Sequence, residues 1–366
     1  SSSSSSSSEI GVIIDRPART AAAVLAVRGH SFALLGPGDQ DSRIAAWARV
    51  LSAMAREGSD VYRIQWIESC LPDDGSSLRR HWSDHAVLGA DTAAGRSYHA
   101  LVDESSPVTR RHRVLVVLSV RTPRSNPSSR NSGRYMTDIG AVLGREVLAF
   151  HRALDGADIS VEGVLGPAAL SRAIGDAFAP GGDAAGAADE SGSASSLWPW
   201  PMAVEPHWDA VRTDATWQAT YWIAEWPRVD VTPDFLGPLL FSPLRRSIVL
   251  TMEPVSPSRA ARQVAQARTA DIADGELRRR GGFLDTARHA REKESVEERD
   301  AELADGHAQY RFTGYVTVTA DTRDELTASR AALEQAAGQA RIDLRLLFGE
   351  QDAAFACSLP LGRGLS

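Results

Sequence analysis

Ser247-Ile-Val-Leu-Thr-Met252 opens the stretch whose reading decides the fold, which runs on to Phe348. The six residues make a compact apolar strand, and Pro254 and Pro257 break it, because proline fixes φ and removes a ladder donor. A charged run with Ala and Arg throughout predicts a long helical excursion, ending near Leu303. The chain returns as a strand from Tyr310 to Thr319. Thr322-Arg-Asp-Glu325 is a capping box and starts a helix. From Arg341 to Leu346 apolar Ile342, Leu344 and Leu346 alternate with Arg341, Asp343 and Arg345, the period of a half-buried strand. Gly349 then begins a last helix through Phe355. This is a small αβ sheet unit with a projecting helical arm, and it reads as an assembly module more readily than as an active site.

Outward from this unit, 20–178 shows the same order. Ala21 to Leu35 is apolar and β-compatible, broken at Arg28-Gly29-His30. Asp41 or Ser42 caps a predicted helix with Ile44, Trp47, Ala48, Leu51, Met54 and Ala55 on one face, ending at Gly58. A strand follows with Tyr62, Ile64 and Trp66 on one side and Arg63 and Gln65 on the other. Leu71 to about Gly95 reads as polar and irregular, with a short helix over 96–104. Val114–Val120 is apolar enough to be buried on both faces. Helix 137–154 carries Ile139, Val142, Leu143, Val147 and Phe150, strand 158–164 follows, and Gly166-Pro167 opens a helix to Phe178.

Ala179–Ser196 is rich in Gly, Ala, Ser and Asp and predicts a flexible linker. Beyond it, Trp217, Ala219, Tyr221 and Ile223 alternate along a strand that Pro227 ends, and Thr232-Pro233 begins a helix to about Leu240. Each half is therefore strand, helix, strand, excursion, strand, helix, strand and a terminal helix after glycine. The expected fold is α+β: two ferredoxin-like (split βαβ) halves from an internal duplication. The first covers 9–178; the second covers 197–366 and carries a long helical insertion, the arm 257–304. Ser1–Ser8 is pure serine and reads as a tag or linker.

The chain has 366 residues, enough for two or three domains with buried cores. A net charge of −7 offers no general attraction to nucleic acid or anionic lipid. Lys293 is the sole lysine, first of all a mark of a GC-rich genome. Cys70 and Cys357 stand far apart, which excludes a disulfide framework and fits a reducing compartment. No run of about eighteen apolar residues is present, nor a signal-like start.

Gly36-Pro-Gly-Asp-Gln-Asp-Ser42 lacks the lysine and second glycine of a phosphate loop and reads as a strand-to-helix turn. His81 and His85 would share a helical face, as metal ligands can, but no motif places a third ligand, so a polar surface loop is the reading. No serine sits in a nucleophile elbow, and both cysteines read as buried structural thiols. Asp73-Asp74 and Glu297-Glu298 lie in polar stretches where nothing would raise a carboxyl pKa. Arg110, Arg111, Arg113 and Arg278–Arg280 read as solvated charges. Trp217, Trp222 and Trp226 read as core packing plus an inter-module contact. The arm is poorly supplied with apolar residues, so Val264, Ile272, Leu277, Phe283 and Leu284 are the expected partner-binding positions. No cofactor, metal or catalytic residue is expected.

Leu346-Leu-Phe-Gly-Glu-Gln-Asp-Ala-Ala-Phe355 followed by Ser358-Leu-Pro-Leu-Gly362 resembles an actinobacterial family of membrane-anchored proteins. That family looks like the amino-terminal, non-ATPase part of TraC/TrbE-type conjugation ATPases of type IV secretion. Thr220-Tyr-Trp-Ile-Ala-Glu-Trp-Pro227 and Arg246–Ala270 fit the same pattern. The likeness covers roughly 200–365 well and 20–180 only in element order, and these are packing motifs that carry over no catalytic residue. It implies a non-catalytic assembly component of a conjugation complex at the cytoplasmic side of the membrane. The partners it implies are other secretion or conjugation proteins, a motor ATPase among them, and no nucleic acid. Full members begin with membrane segments absent here, so the chain is expected to be the soluble portion. A type VII secretion component of the EccE kind has a comparable layout. From a different class, a ligand-binding protein or enzyme with a cleft between the halves, near Trp217 or near His81 and His85, stays open as the alternative.

Overall fold

The computed structural model describes residues 9–29, 32, 35–72, 76–86, 89–105, 110–122, 132–179, 200–214, 216–267, 269, 301–303 and 305–364. The first half supplies β1 (Ile13–Asp15), β2 (Thr20–Arg28), β3 (Val61–Pro72), β4 (Arg110–Arg121) and β5 (Ser160–Val164). The second supplies β6 (Val204–Pro206), β7 (Val211–Thr213), β8 (Thr216–Glu225), β9 (Arg246–Pro254), β10 (Tyr310–Ala320) and β11 (Asp343–Leu346). They join in one large sheet whose pairings are antiparallel. Against it lie α1 (Pro37–Met54), α2 (Ser76–His85), α3 (Ala93–Ser105), α4 (Ser132–Asp155) and α5 (Pro167–Phe178) from the first half. The second half adds α6 (Gly237–Leu240), α7 (Arg323–Gln339) and α8 (Gln351–Ser358), and the protein is mixed α and β.

Strand neighbours run β5–β2–β4–β3 in the first half and β11–β8–β10–β9 in the second, with β3 paired to β9 between them. The registers also match. Leu25 pairs with Val164 on one side and Val116 on the other, and Val116 pairs with Trp66. At the same places the second half has Tyr221 between Leu346 and Val316, with Val316 paired to Ile248. A short strand, β1 or β7, precedes β2 or β8 and shares its outer edge with β5 or β11.

Period-2 alternation sends side chains to opposite faces. On one face Ala23, Leu25, Val116 and Leu118 pack with Val50, Ile139, Leu143 and Phe150 of α1 and α4. On the same face, farther along, Tyr221, Ile223, Val316 and Val318 meet Leu326, Leu333 and Ala337 of α7. The opposite face holds Ile67, Leu115, Val249 and Tyr315 with α5 and α8. Phe178 and Phe355 of those two helices meet edge-to-face at 5.5 Å. The terminal helix of each half thus helps to cover the line along which β3 and β9 join.

The structure corrects several local expectations. Helix α1 begins at Pro37 with Gly36 as its cap, well before Asp41, since the fixed φ of proline suits the first helical position. Its buried stripe is Ala46, Val50 and Met54, and Ile44 is turned outward. Arg63 and Gln65, on the other side of β3 from Ile64 and Trp66, are buried too, because α8 and the tail after it cover that side. Gln65 donates to the Cys357 carbonyl at 2.7 Å, and Arg63 donates to that of Gly362 at 3.0 Å. Helix α2 occupies part of the stretch that reads as irregular, and the helix expected from Thr232 shrinks to α6. The capping box is present with a shift: Thr322 Oγ1 accepts from the Glu325 N–H, while Glu325 reaches the N–H of Asp321 rather than Thr322.

Candidate functional site

Glu68 on β3 and Arg246 on β9 form an ion pair whose side chains are 5% and 0% exposed. His112 on β4 adds a second contact to Glu68 at 2.6 Å, and Arg246 also donates to the Leu240 carbonyl. Cys70 sits beside this pair; burial pushes its thiol pKa up, only partly offset by the Arg246 charge. On the other face a cavity of about 20 Å³, lined by Ile67, Ser69, Arg113, Thr317 and Phe355, is room for roughly one water. The seam is filled.

His81 and His85 lie on α2 with rings stacked at 4.4 Å, both exposed, and no metal-holding group of three ligands occurs among the described residues. Trp217 packs with His207, Arg212 and Arg323, and neither histidine is among these contacts. Trp217 and the His81–His85 pair thus belong to separate sets of contacts. Cys70 and Cys357 are both buried. Arg113 is not a solvated charge: it pairs with Asp176 of α5 at 2.7 Å. Helix 257–267 is the described start of the arm, and Ala260 and Val264 on it are buried. Ile272, Leu277, Phe283, Leu284, Arg278–Arg280, Asp73-Asp74, Glu297-Glu298, Ser1–Ser8 and nearly all of the linker 179–196 lie outside the described residues.

One surface feature is built with care. The turn between β6 and β7 carries Trp208, 72% exposed, beside Phe348, 54% exposed, after β11; their rings stack at 6.3 Å. The turn closes by a hydrogen bond from the His207 N–H to the Ala210 carbonyl, and the Gly349 N–H donates to the Trp208 carbonyl at 2.7 Å. Gly349 has φ +77°, and a Cβ there would come within 2.9 Å of the Trp208 ring, so glycine is required twice over. Asp209, next in the turn, accepts from Arg323 at 2.5 Å and from Arg330 at 2.8 Å. Burial would raise the Asp209 pKa, but these hydrogen bonds outweigh it and hold the carboxyl below its usual range. Arg330 in turn donates to the Tyr221 hydroxyl, which donates to Glu334 at 2.8 Å. Burial, ahead of those contacts, pushes the Tyr221 pKa up to about 12. A rigid base thus holds two large aromatic rings in water, the form that binding anchors take at protein interfaces.

In the sequence Phe348-Gly349 reads only as a packing motif, and Trp208 stands with Trp198 and Trp200 among prolines with no role attached. The signal was present in Pro206-His-Trp-Asp: a tryptophan in a short polar turn with no apolar periodicity around it. Among the described residues no helix is long and apolar enough to cross a membrane. No protein-family model matches the chain, and no curated protein does.

Proposed function

We propose that this protein is a non-catalytic assembly component of a conjugation, type IV secretion-like membrane complex, built from two ferredoxin-like halves that arose by duplication. The filled seam carries the reading. Strands β3 and β9 pair along their length, and Glu68 and Arg246 close one face. On the other, a cavity of only about 20 Å³ is left beside Ile67 and Phe355. At the Glu68–Arg246 end of the seam no ligand-sized space is left between the halves. The duplication is supported by the equivalent neighbours β5–β2–β4–β3 and β11–β8–β10–β9, the order of a split βαβ unit. The Trp208–Phe348 pair and the arm are the surfaces offered to partners, which would be other complex proteins and a motor ATPase on the cytoplasmic side. An EccE-like core component of type VII secretion belongs to the same class of reading.

The test is affinity capture of the full-length protein from native membranes after cross-linking. The expected result is recovery of a motor ATPase, lost in the Trp208→Ala/Phe348→Ala variant while its melting temperature holds. ATP hydrolysis by the purified protein that survives further purification, or capture indifferent to the double variant, would overturn it.

A further inference from the structure

A groove of about 220 Å³ opens where the end of α1, the start of helix 257–267 and the ends of β4 and β9 converge. Its walls include Arg56, Arg121, Arg259 and Arg311, against a single carboxylate, Glu253. In a chain with a net charge of −7 this concentration runs against the overall sign. Two of the four are accounted for. Arg56 pairs with Glu146 at 2.8 Å, and Arg311 with Glu253 at 2.9 Å. Glu253 is further drawn away by Arg63 at 2.6 Å, and the nearby Glu57 is engaged by Ser258.

Arg121 and Arg259 have no carboxylate partner among the described residues. The Arg121 guanidinium lies over the Tyr62 ring, 4.5 Å from its centroid. Stacking restrains the guanidinium while leaving its in-plane N–H donors available. A lone carboxylate ligand would use one fork. Several forks around one small polar space match a tetrahedral dianion, whose oxygens accept bidentate bonds from more than one arginine.

We propose that this groove binds a phosphate monoester group, with Arg121 and Arg259 as the principal donors. Two sources share that chemistry: a free phosphate or small phosphomonoester, and the headgroup of an acidic lipid such as phosphatidic acid. The proposal does not rest on the assembly reading.

The experiment is calorimetric titration of the full chain with inorganic phosphate at low ionic strength. Saturable one-site binding is expected, weakened tenfold or more in Arg121→Gln and in Arg259→Gln and unchanged in Arg16→Gln, an exposed arginine in the β1–β2 turn. Arg121→Lys, which keeps the charge and loses the fork, should fall between. Both target arginines are exposed, so melting temperatures without phosphate should stay within a few degrees; if one variant misfolds, the other decides. Flotation with phosphatidic acid in phosphatidylcholine vesicles, competed by phosphate, would assign the lipid source; its absence alongside phosphate binding assigns the soluble one. No saturable phosphate binding, or an equal loss in Arg16→Gln, would overturn the proposal. So would DNA binding that depends on Arg121 and that phosphate does not compete.

Discussion

On one side of the central Ile67–Val249 pair, the seam between β3 and β9 holds Ile64, Trp66, Leu250 and Met252; at the matching places on the other side stand Arg246, Ile248, Glu68 and Cys70. The backbone is the same at both ends. The chemistry is not. The first end joins an ordinary core, with Ile64 and Met252 buried against α1 and α4, stabilised in proportion to the apolar area removed from water. The second buries a charge pair, which gives little net stability but is expensive to leave half made. Its contribution is to specify the partner. If β3 paired with β3 of another copy about the same centre, Glu68 would face Trp66 and lose Arg246. On this face of the sheet the polar end therefore discriminates, while the apolar end supplies adhesion; the Arg63–Glu253 pair lies on the opposite face.

This contrast can be broken experimentally. Glu68→Ala strands Arg246, whose side chain is fully buried, and should cost about 3–5 kcal/mol in urea unfolding. Glu68→Leu with Arg246→Ile, which copies Leu250 and Ile64 onto the polar end, should recover most of that loss. If the double variant is as unstable as the single one, the two ends are not interchangeable frames. Ile64→Ala, at the apolar end, should cost about 2–4 kcal/mol by the same measurement.

Smaller effects belong to the second half alone. Asp209→Asn should remove about 1–3 kcal/mol, since its hydrogen bonds to Arg323 and Arg330 are charge-assisted. The pKa of Asp209 is lowered in the folded state, so its contribution is present above the ordinary carboxyl pKa, about 4, and is lost as pH falls below it. Denaturation midpoints between pH 6 and pH 3 should converge for wild type and Asp209→Asn. Thr322→Ala removes the cap of α7 and should cost about 1 kcal/mol by thermal unfolding.

The order of the larger strands was legible because Val114–Val120 is a long apolar run, Tyr315–Thr319 alternates β-formers, and Gly166-Pro167 marks a helix start without competition. Strands β1, β6 and β7 were not legible, since three residues cannot display a period. The burial of Arg63 and Gln65 escaped for a different reason. Their partners, the carbonyls of Gly362 and Cys357, lie 299 and 292 residues away, and backbone groups leave no mark in side-chain patterning. The arginine-lined groove was equally hidden: Arg56, Arg121, Arg259 and Arg311 converge only through the fold. The arm is poor in apolar residues, whereas the exposed Trp208–Phe348 pair lies at the turn between β6 and β7.

The pairing of β3 with β9 also has a consequence in time. Ile67 leaves the ribosome 182 residues ahead of its partner Val249. At a synthesis rate of about 5–20 residues per second, the β3 edge waits on the order of 10–40 s with its backbone groups unpaired. An open edge of that length is a template for misassociation, and natural sheets guard such edges with charge. Arg63 and Glu68 stand along β3 in the nascent first half before their partners Glu253 and Arg246 exist. The same residues that lock the finished seam are solvated sentries while it is being made.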